Sequence, residues 1–126
     1  EELEISPRLK LSNAYELVLP LRWVAILHGR VSASLALTSG IHDAKGLIKA
    51  LLAGADAGMV ASALYQGGLE KAATILGGLA EWMAEKEYVS VEQLKGSMSQ
   101  ENCPDPAAFE RGNYMKALTS FTGKLA

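Results

Sequence analysis

Apolar positions along this chain alternate between short continuous runs and longer stretches with a period near 3.6 residues. The runs at Leu35 to Thr38 and at Ala57 to Ala61 are bounded by small or polar residues and predict buried strands. Arg8 to Leu11, with Leu9 and Leu11 on one face, predicts a further short strand. Pro20 to Val31 predicts a helix, because Pro20 suits a first helical position and Trp23, Val24, Leu27 and Val31 keep helical spacing. Asp43 precedes another helix, in which Ala44, Leu47, Ile48, Leu51 and Leu52 form one apolar stripe and Gly54 takes the position just past the end. After a break at Gly67-Gly68, Leu69 to Lys86 predicts a long amphipathic helix with Leu69, Ala73, Leu76, Ala80 and Met83 on its apolar side, weakened by Gly77-Gly78. Trp23, Trp82 and Met83 read as helix-core residues.

The last part of the chain, residues 88–126, reads as a helical tail on a single domain covering 1–126. Ser90-Val91-Glu92-Gln93 has the form of a capping box and predicts a short helix that stops near Gly96. Asp105-Pro106 pairs an N-cap with a first-turn proline and starts a last helix through Phe109, Tyr114 and Leu118. Between them, Ser97 to Pro104 is polar and reads as a surface loop. Strands alternating with helices argue for parallel strands joined by crossovers, an α/β fold.

Composition narrows the class of function. An apolar fraction of 49% with 21% charged residues fits an ordinary globular chain, and a net charge of −2 gives no electrostatic reason to expect nucleic acid or an anionic membrane surface as partner. The acidic stretch Glu1-Glu2-Leu3-Glu4 does not read as a signal peptide, no apolar run is long enough to span a bilayer, and one cysteine, Cys103, permits no intrachain disulfide. These features lead to the expectation of a cytoplasmic protein.

The candidate chemistry lies at two strand-to-helix junctions, Thr38-Ser39-Gly40-Ile41 and Ala61-Ser62-Ala63. A phosphate monoester carries nearly two negative charges, and a helix start offers unpaired N–H groups at the positive end of a dipole. Gly40 admits close backbone approach to such an anion, and Ser39 and Ser62 add hydroxyl donors. One such junction alone also reads as a tight turn. Two on consecutive βα units would lie on the same sheet edge, where an anion can sit between them.

These residues carry a resemblance. Pro7 to Gly123 is similar to the C-terminal portion of the dihydroorotate dehydrogenase family, flavin enzymes built on a TIM barrel, and to its dihydroorotate dehydrogenase-like branch. Pro20-Leu21-Arg22-Trp23-Val24-Ala25-Ile26-Leu27 resembles that branch's helix after the sixth strand, and Thr38-Ser39-Gly40-Ile41 its glycine-rich turn after the seventh. Ala53-Gly54-Ala55-Asp56 resembles the element before the eighth strand, and Ala61-Ser62-Ala63 the Gly-Thr-Ala turn that follows. The resemblance implies a half barrel of about three to four parallel βα units with a helical C-terminal extension. It also implies FMN as cofactor, its phosphate held by Thr38, Ser39, Gly40, Ile41, Ala61, Ser62 and Ala63 in an oxidoreductase scaffold.

Two departures limit what is implied. The family's redox base and flavin-contacting Lys belong to strands upstream of Glu1, and Ser39 and Ala61 stand where the family has glycines. A single chain is therefore expected to bind phosphate or FMN without catalysing dihydroorotate oxidation. The alternative is a non-catalytic, self-associating module with a vestigial phosphate site.

His42 reads as a polar residue of a first helical turn, with a hydrogen bond to phosphate as its alternative use. Lys45 and Lys49 form a solvated i, i+4 pair, although Lys45 could reach an anion near Ser39. His28 has no partner at metal-ligand spacing, and Cys103 has no His near it in sequence. A partial barrel leaves one sheet face and two edges open, so a homodimer or higher homo-oligomer is expected, driven by exposed apolar strand residues.

Overall fold

A computed structural model describes residues 8–112. A 3-10 turn at Ala14–Leu17 runs directly into α1 (Val18–Leu27); then follow β1 (Ala36–Thr38), α2 (Ala44–Ala53), β2 (Ala57–Met59), α3 (Ser62–Gly67), α4 (Glu70–Glu85) and α5 (Val91–Leu94), with residues 106–112 again helical. β1 and β2 pair in parallel, Leu37 opposite Gly58, as one two-stranded sheet. This overturns the half barrel of three to four βα units: one βαβ unit is present among the described residues, surrounded by helices.

The missing strand is Arg8 to Leu11. Its alternation rests on two leucines, and Leu9 is 70% exposed. The chain there takes no place in the sheet but crosses its end, where the N–H of Ser12 donates to Ser62 Oγ at 2.9 Å. Outside the described residues lie the far part of the last predicted helix, including Tyr114 and Leu118, and the acidic start.

α2 is the organising element, and its sequence explains why. Asp43 accepts from the N–H of Gly46 at 2.7 Å and starts it; Gly54, at φ +113°, ends it in a Schellman arrangement with Gly54 N to Leu51 O and Ala55 N to Ala50 O. Leu47, Ile48 and Leu51 are buried along the expected stripe and join Leu37, Ile41 and Leu79 in one core. α1 and α4 both pack against it.

α4 presents a different face from the one its sequence predicts. Ile75 and Leu79 are buried, whereas Leu69 and Leu76 are exposed. Gly78 decides the orientation, since a Cβ there would come within 2.6 Å of the Ala44 methyl at the start of α2. The glycine that weakens the helix in isolation lets two helices approach closely. Trp82 stacks on Tyr88 at 5.5 Å and packs against the core with Met83, as read. Trp23 does not: it is 53% exposed.

The sheet's uncovered side also departs from expectation. Leu37 points into the core at 1% exposure, so the open face carries Ala36, Thr38, Ala57 and Met59. Met59 is the one large apolar side chain on that face, which therefore presents little of the exposed apolar strand surface expected to drive association.

The segment Ser97 to Pro104 is no peripheral loop. Gly96 and Met98 donate to the carbonyls of Leu51 and Leu52 at the end of α2, and Gln100 N donates to Ala25 O in α1. Ser99 and Gln100 are buried, and the Gln100 side chain accepts from Arg30 and donates to Pro106 O and Glu110. His28 lies in the slot between Gly54 and Gly96, its Nδ1 3.2 Å from Gly54 O. Both predicted caps of the tail form: Ser90 accepts from Gln93 N, and Asp105 from Ala108 N. No helix among the described residues is long and apolar enough to cross a membrane.

Candidate functional site

The two junctions meet. Thr38, Ser39, Gly40, Ile41, Ala61 and Ser62 line one pocket of about 230 Å³ at the C-terminal ends of β1 and β2, the end of a parallel sheet where ligands bind. Ala63, the seventh residue of the predicted set, is buried and does not line it. Four further residues complete the lining: Lys10, Ser12, Glu16 and Met59.

Three of these come from the segment crossing the strand ends, and its local structure places them. Asn13 caps the 3-10 turn, its side chain accepting from Tyr15 N, while Glu16 Oε1 accepts from Asn13 N at 3.3 Å and from Asn13 Nδ2 at 3.0 Å. This reciprocal capping box holds the Glu16 carboxylate at the pocket, where Oε2 accepts from Ser39 Oγ at 3.0 Å. The spacing Asn13-x-x-Glu16 is the sequence signal that would have found it. Ser12 ties both junctions together: its N–H donates to Ser62, its Oγ accepts from Gly40 N at 3.4 Å and lies 3.2 Å from His42 Nε2.

Two reasons for expecting an anion change in the structure. Gly40 has φ +79°, and a Cβ built on it would strike the backbone of Leu17, so its missing side chain admits the 3-10 turn instead of a ligand. The N-terminus of α2 is already served by the Asp43 carboxylate, and α3 is six residues long, so neither helix start supplies the dipole the argument invoked. His42 spends its ring on Ser12, Asp43 is the cap, and Lys45 and Lys49 are exposed on α2. Ser39 is one of two described non-glycine residues with positive φ, at +75°, a conformation costing on the order of 1 kcal/mol.

The donor set nonetheless fits a small anion in kind. The Lys10 ammonium and the hydroxyls of Ser12, Ser39 and Ser62 surround the pocket, against one carboxylate. The volume accommodates a phosphate and a few attached atoms; it falls below the roughly 300 Å³ at which drug-sized ligand pockets begin. The residues fit the phosphate end of FMN, and the pocket offers no seat for the isoalloxazine ring.

At the opposite end of the sheet a second polar pocket is lined by His28, Ser32, Ser34, Asp56 and Lys95 among others. Asp56 Oδ2 accepts from Leu35 N at 2.7 Å and Oδ1 from Lys95 Nζ at 2.9 Å; the Lys95 hydrogen bond, then that of Leu35, holds the Asp56 carboxyl below its ordinary range. Asp56 in turn raises the Lys95 ammonium. No group of three or more His, Cys, Asp or Glu side chains able to hold a metal occurs among the described residues. Cys103 is half-buried, its Sγ 3.5 Å from Asp105 O.

The chain matches no protein-family model, and no curated protein is similar to it.

Proposed function

We propose that the pocket at the C-terminal ends of β1 and β2 binds the phosphate group of a small phosphate monoester, with FMN as the first candidate. One observation carries this reading: both strand-to-helix junctions, Lys10 and Ser12 converge on one cavity of phosphate size. In sequence, the turns Thr38-Ser39-Gly40-Ile41 and Ala61-Ser62-Ala63 resemble those that hold the FMN phosphate in dihydroorotate dehydrogenase-like proteins, which favours FMN over other monoesters. The ring of a bound flavin projects from the pocket, and the role is binding without redox catalysis.

Glu16 is the groove's counterweight. An arriving phosphate takes the Ser39 hydroxyl from Glu16, and the displaced carboxylate swings toward solvent. With the carboxylate swung into solvent, the repulsion left is of the bulk-water size, about 1 kcal/mol at 4 Å, so Glu16→Gln tightens phosphate binding roughly fivefold. Removing a hydroxyl donor in Ser62→Ala weakens it by a similar factor.

The test is a calorimetric titration with FMN, riboflavin and inorganic phosphate. Binding of FMN and phosphate, little binding of riboflavin, and tightening by Glu16→Gln support the proposal. Riboflavin binding as tight as FMN, or no saturable binding of either phosphate compound at millimolar concentration, overturns it.

A further inference from the structure

Three serines line the pocket, and their hydrogen bonds set one apart. Ser39 gives its hydroxyl hydrogen to the Glu16 carboxylate, 3.0 Å away. Ser62 accepts from Ser12 N at 2.9 Å and has no basic side chain bonded to it among the described residues. Ser12 is the one paired with an imidazole: its Oγ lies 3.2 Å from His42 Nε2. The same Oγ accepts from the N–H of Gly40 at 3.4 Å, so its hydrogen is the part left for His42. That count assigns Nε2 as the acceptor and puts the ring's own hydrogen on Nδ1.

The placement is that of a nucleophile and its base. Ser12 faces the pocket, whereas His42 is half-buried and does not line it. The Ser12 backbone is held by Ser62 and its Oγ by Gly40, so the hydroxyl sits where the two junctions cross. A serine hydroxyl is a weak nucleophile until a base within hydrogen-bond reach takes its proton. Ser62 uses a lone pair on Ser12 N, which leaves its hydrogen as a donor. With the Lys10 ammonium on the same lining, it can stabilise negative charge that develops on a bound oxygen.

We infer that Ser12 and His42 form a nucleophile–base pair that hydrolyses small carboxylic esters in this pocket. Ser12 Oγ attacks the acyl carbon while its proton passes to His42 Nε2. The new C–O bond to Ser12 replaces the bond to the alcohol, which leaves carrying that proton. Water then attacks the acyl-serine and gives a proton to His42; the acid departs and Ser12 recovers its hydrogen. A cavity of about 230 Å³ limits the acyl group to a few carbons. Among the described residues no group is hydrogen-bonded to His42 Nδ1, so the ring lacks the orienting partner of a full triad and turnover is slow. The activity goes beyond phosphate binding, and a pocket that binds no phosphate can still carry it.

Diisopropyl fluorophosphate, which forms a serine Oγ–P bond and releases fluoride, reads the nucleophile directly by intact mass and peptide mapping. One adduct on Ser12 is expected, with hydrolysis of p-nitrophenyl acetate above that of Ser12→Ala. His42→Ala slows both reactions at least a hundredfold, the usual size of general-base assistance, and added imidazole restores part of the loss. His42→Gln, which keeps a hydrogen-bonding side chain but no base, shows the same loss and replaces the alanine variant should circular dichroism find that one unfolded. Labelling that is absent or falls on another residue overturns the inference. So does a folded His42 variant that labels at the parent's rate.

Discussion

At the N-terminal end of the two strands, the chain is tied down by its backbone: Gly96, Met98 and Gln100 donate to the last carbonyls of α2 and α1, and His28 fills the slot between Gly54 and Gly96. At the C-terminal end the ties are side-chain hydroxyls and one carboxylate, Ser12 to Ser62, Ser39 to Glu16, Gly40 to Ser12. Both ends satisfy their polar groups, and no buried side-chain donor or acceptor among the described residues lacks a partner. They differ in what can be exchanged. A carbonyl bonded to a main-chain N–H has no second choice, since opening it moves the chain. A serine hydroxyl turns about one bond and accepts a new partner without disturbing the fold. The closed end holds the helices together, and the open end is where a ligand can compete.

The largest effect expected from breaking this contrast comes at the closed end. Gly54→Ala puts a side chain at φ +113° and drives it into the His28 ring, so it costs about 3 kcal/mol or more, measured by urea unfolding. The open end responds with the opposite sign. Ser39→Gly relieves a positive φ and stabilises the fold by about 0.5–1 kcal/mol, while removing a donor from the pocket and weakening phosphate binding. A variant gaining stability as it loses affinity would sharpen the distinction; loss of both would break it.

The smallest effect concerns Asp56 and Lys95. The Asp56 carboxyl titrates below its ordinary value in the folded chain, so its contribution is present above the unfolded value near 3.8 and is lost as pH falls through the lower folded one. The Lys95 ammonium titrates above 10.5, so its contribution is present below that and is lost as pH rises through the higher folded value. Between those limits stability from this pair is level. Asp56→Asn lowers the melting temperature by a few degrees at neutral pH, and the difference from the parent chain shrinks in strong acid. A pH-independent difference would show that neither the Lys95 nor the Leu35 hydrogen bond favours the ionised carboxyl.

Legibility in the sequence followed how local the cause was. The start, stripe and end of α2 were legible because Asp43, the leucine spacing and Gly54 act within one helix, and the same holds for the caps at Ser90 and Asp105. The residues of the two junctions were legible as a pair on consecutive strand ends. What failed depended on distant partners. Leu9 and Leu11 alternate as in a strand, but no neighbouring strand edge receives them. The buried side of α4 is chosen by the contact of Gly78 with Ala44, thirty-four positions away, and not by its own periodicity. Ser97 to Pro104 is polar, and its burial comes from main-chain bonds to α1 and α2 that composition does not encode. Lys10 was missed at the site because Arg8 to Leu11 reads as a strand, and Ser12 and Glu16 because the capped turn that places them falls between that strand and the helix expected from Pro20.

The sheet itself is two strands of three residues, which leaves each strand one lateral edge bare among the described residues. Such an edge is where foreign chains join by templated pairing in cross-β growth. Here the template is too brief: β1 stops at Ser39, whose left-handed backbone cannot continue an extended run, and β2 gives way within two residues to α3. On its near side the N–H of Leu35 is already held by Asp56. Growth from the native molecule therefore lacks a starting rail, and fibril or amorphous aggregation should keep pace with global unfolding instead of preceding it.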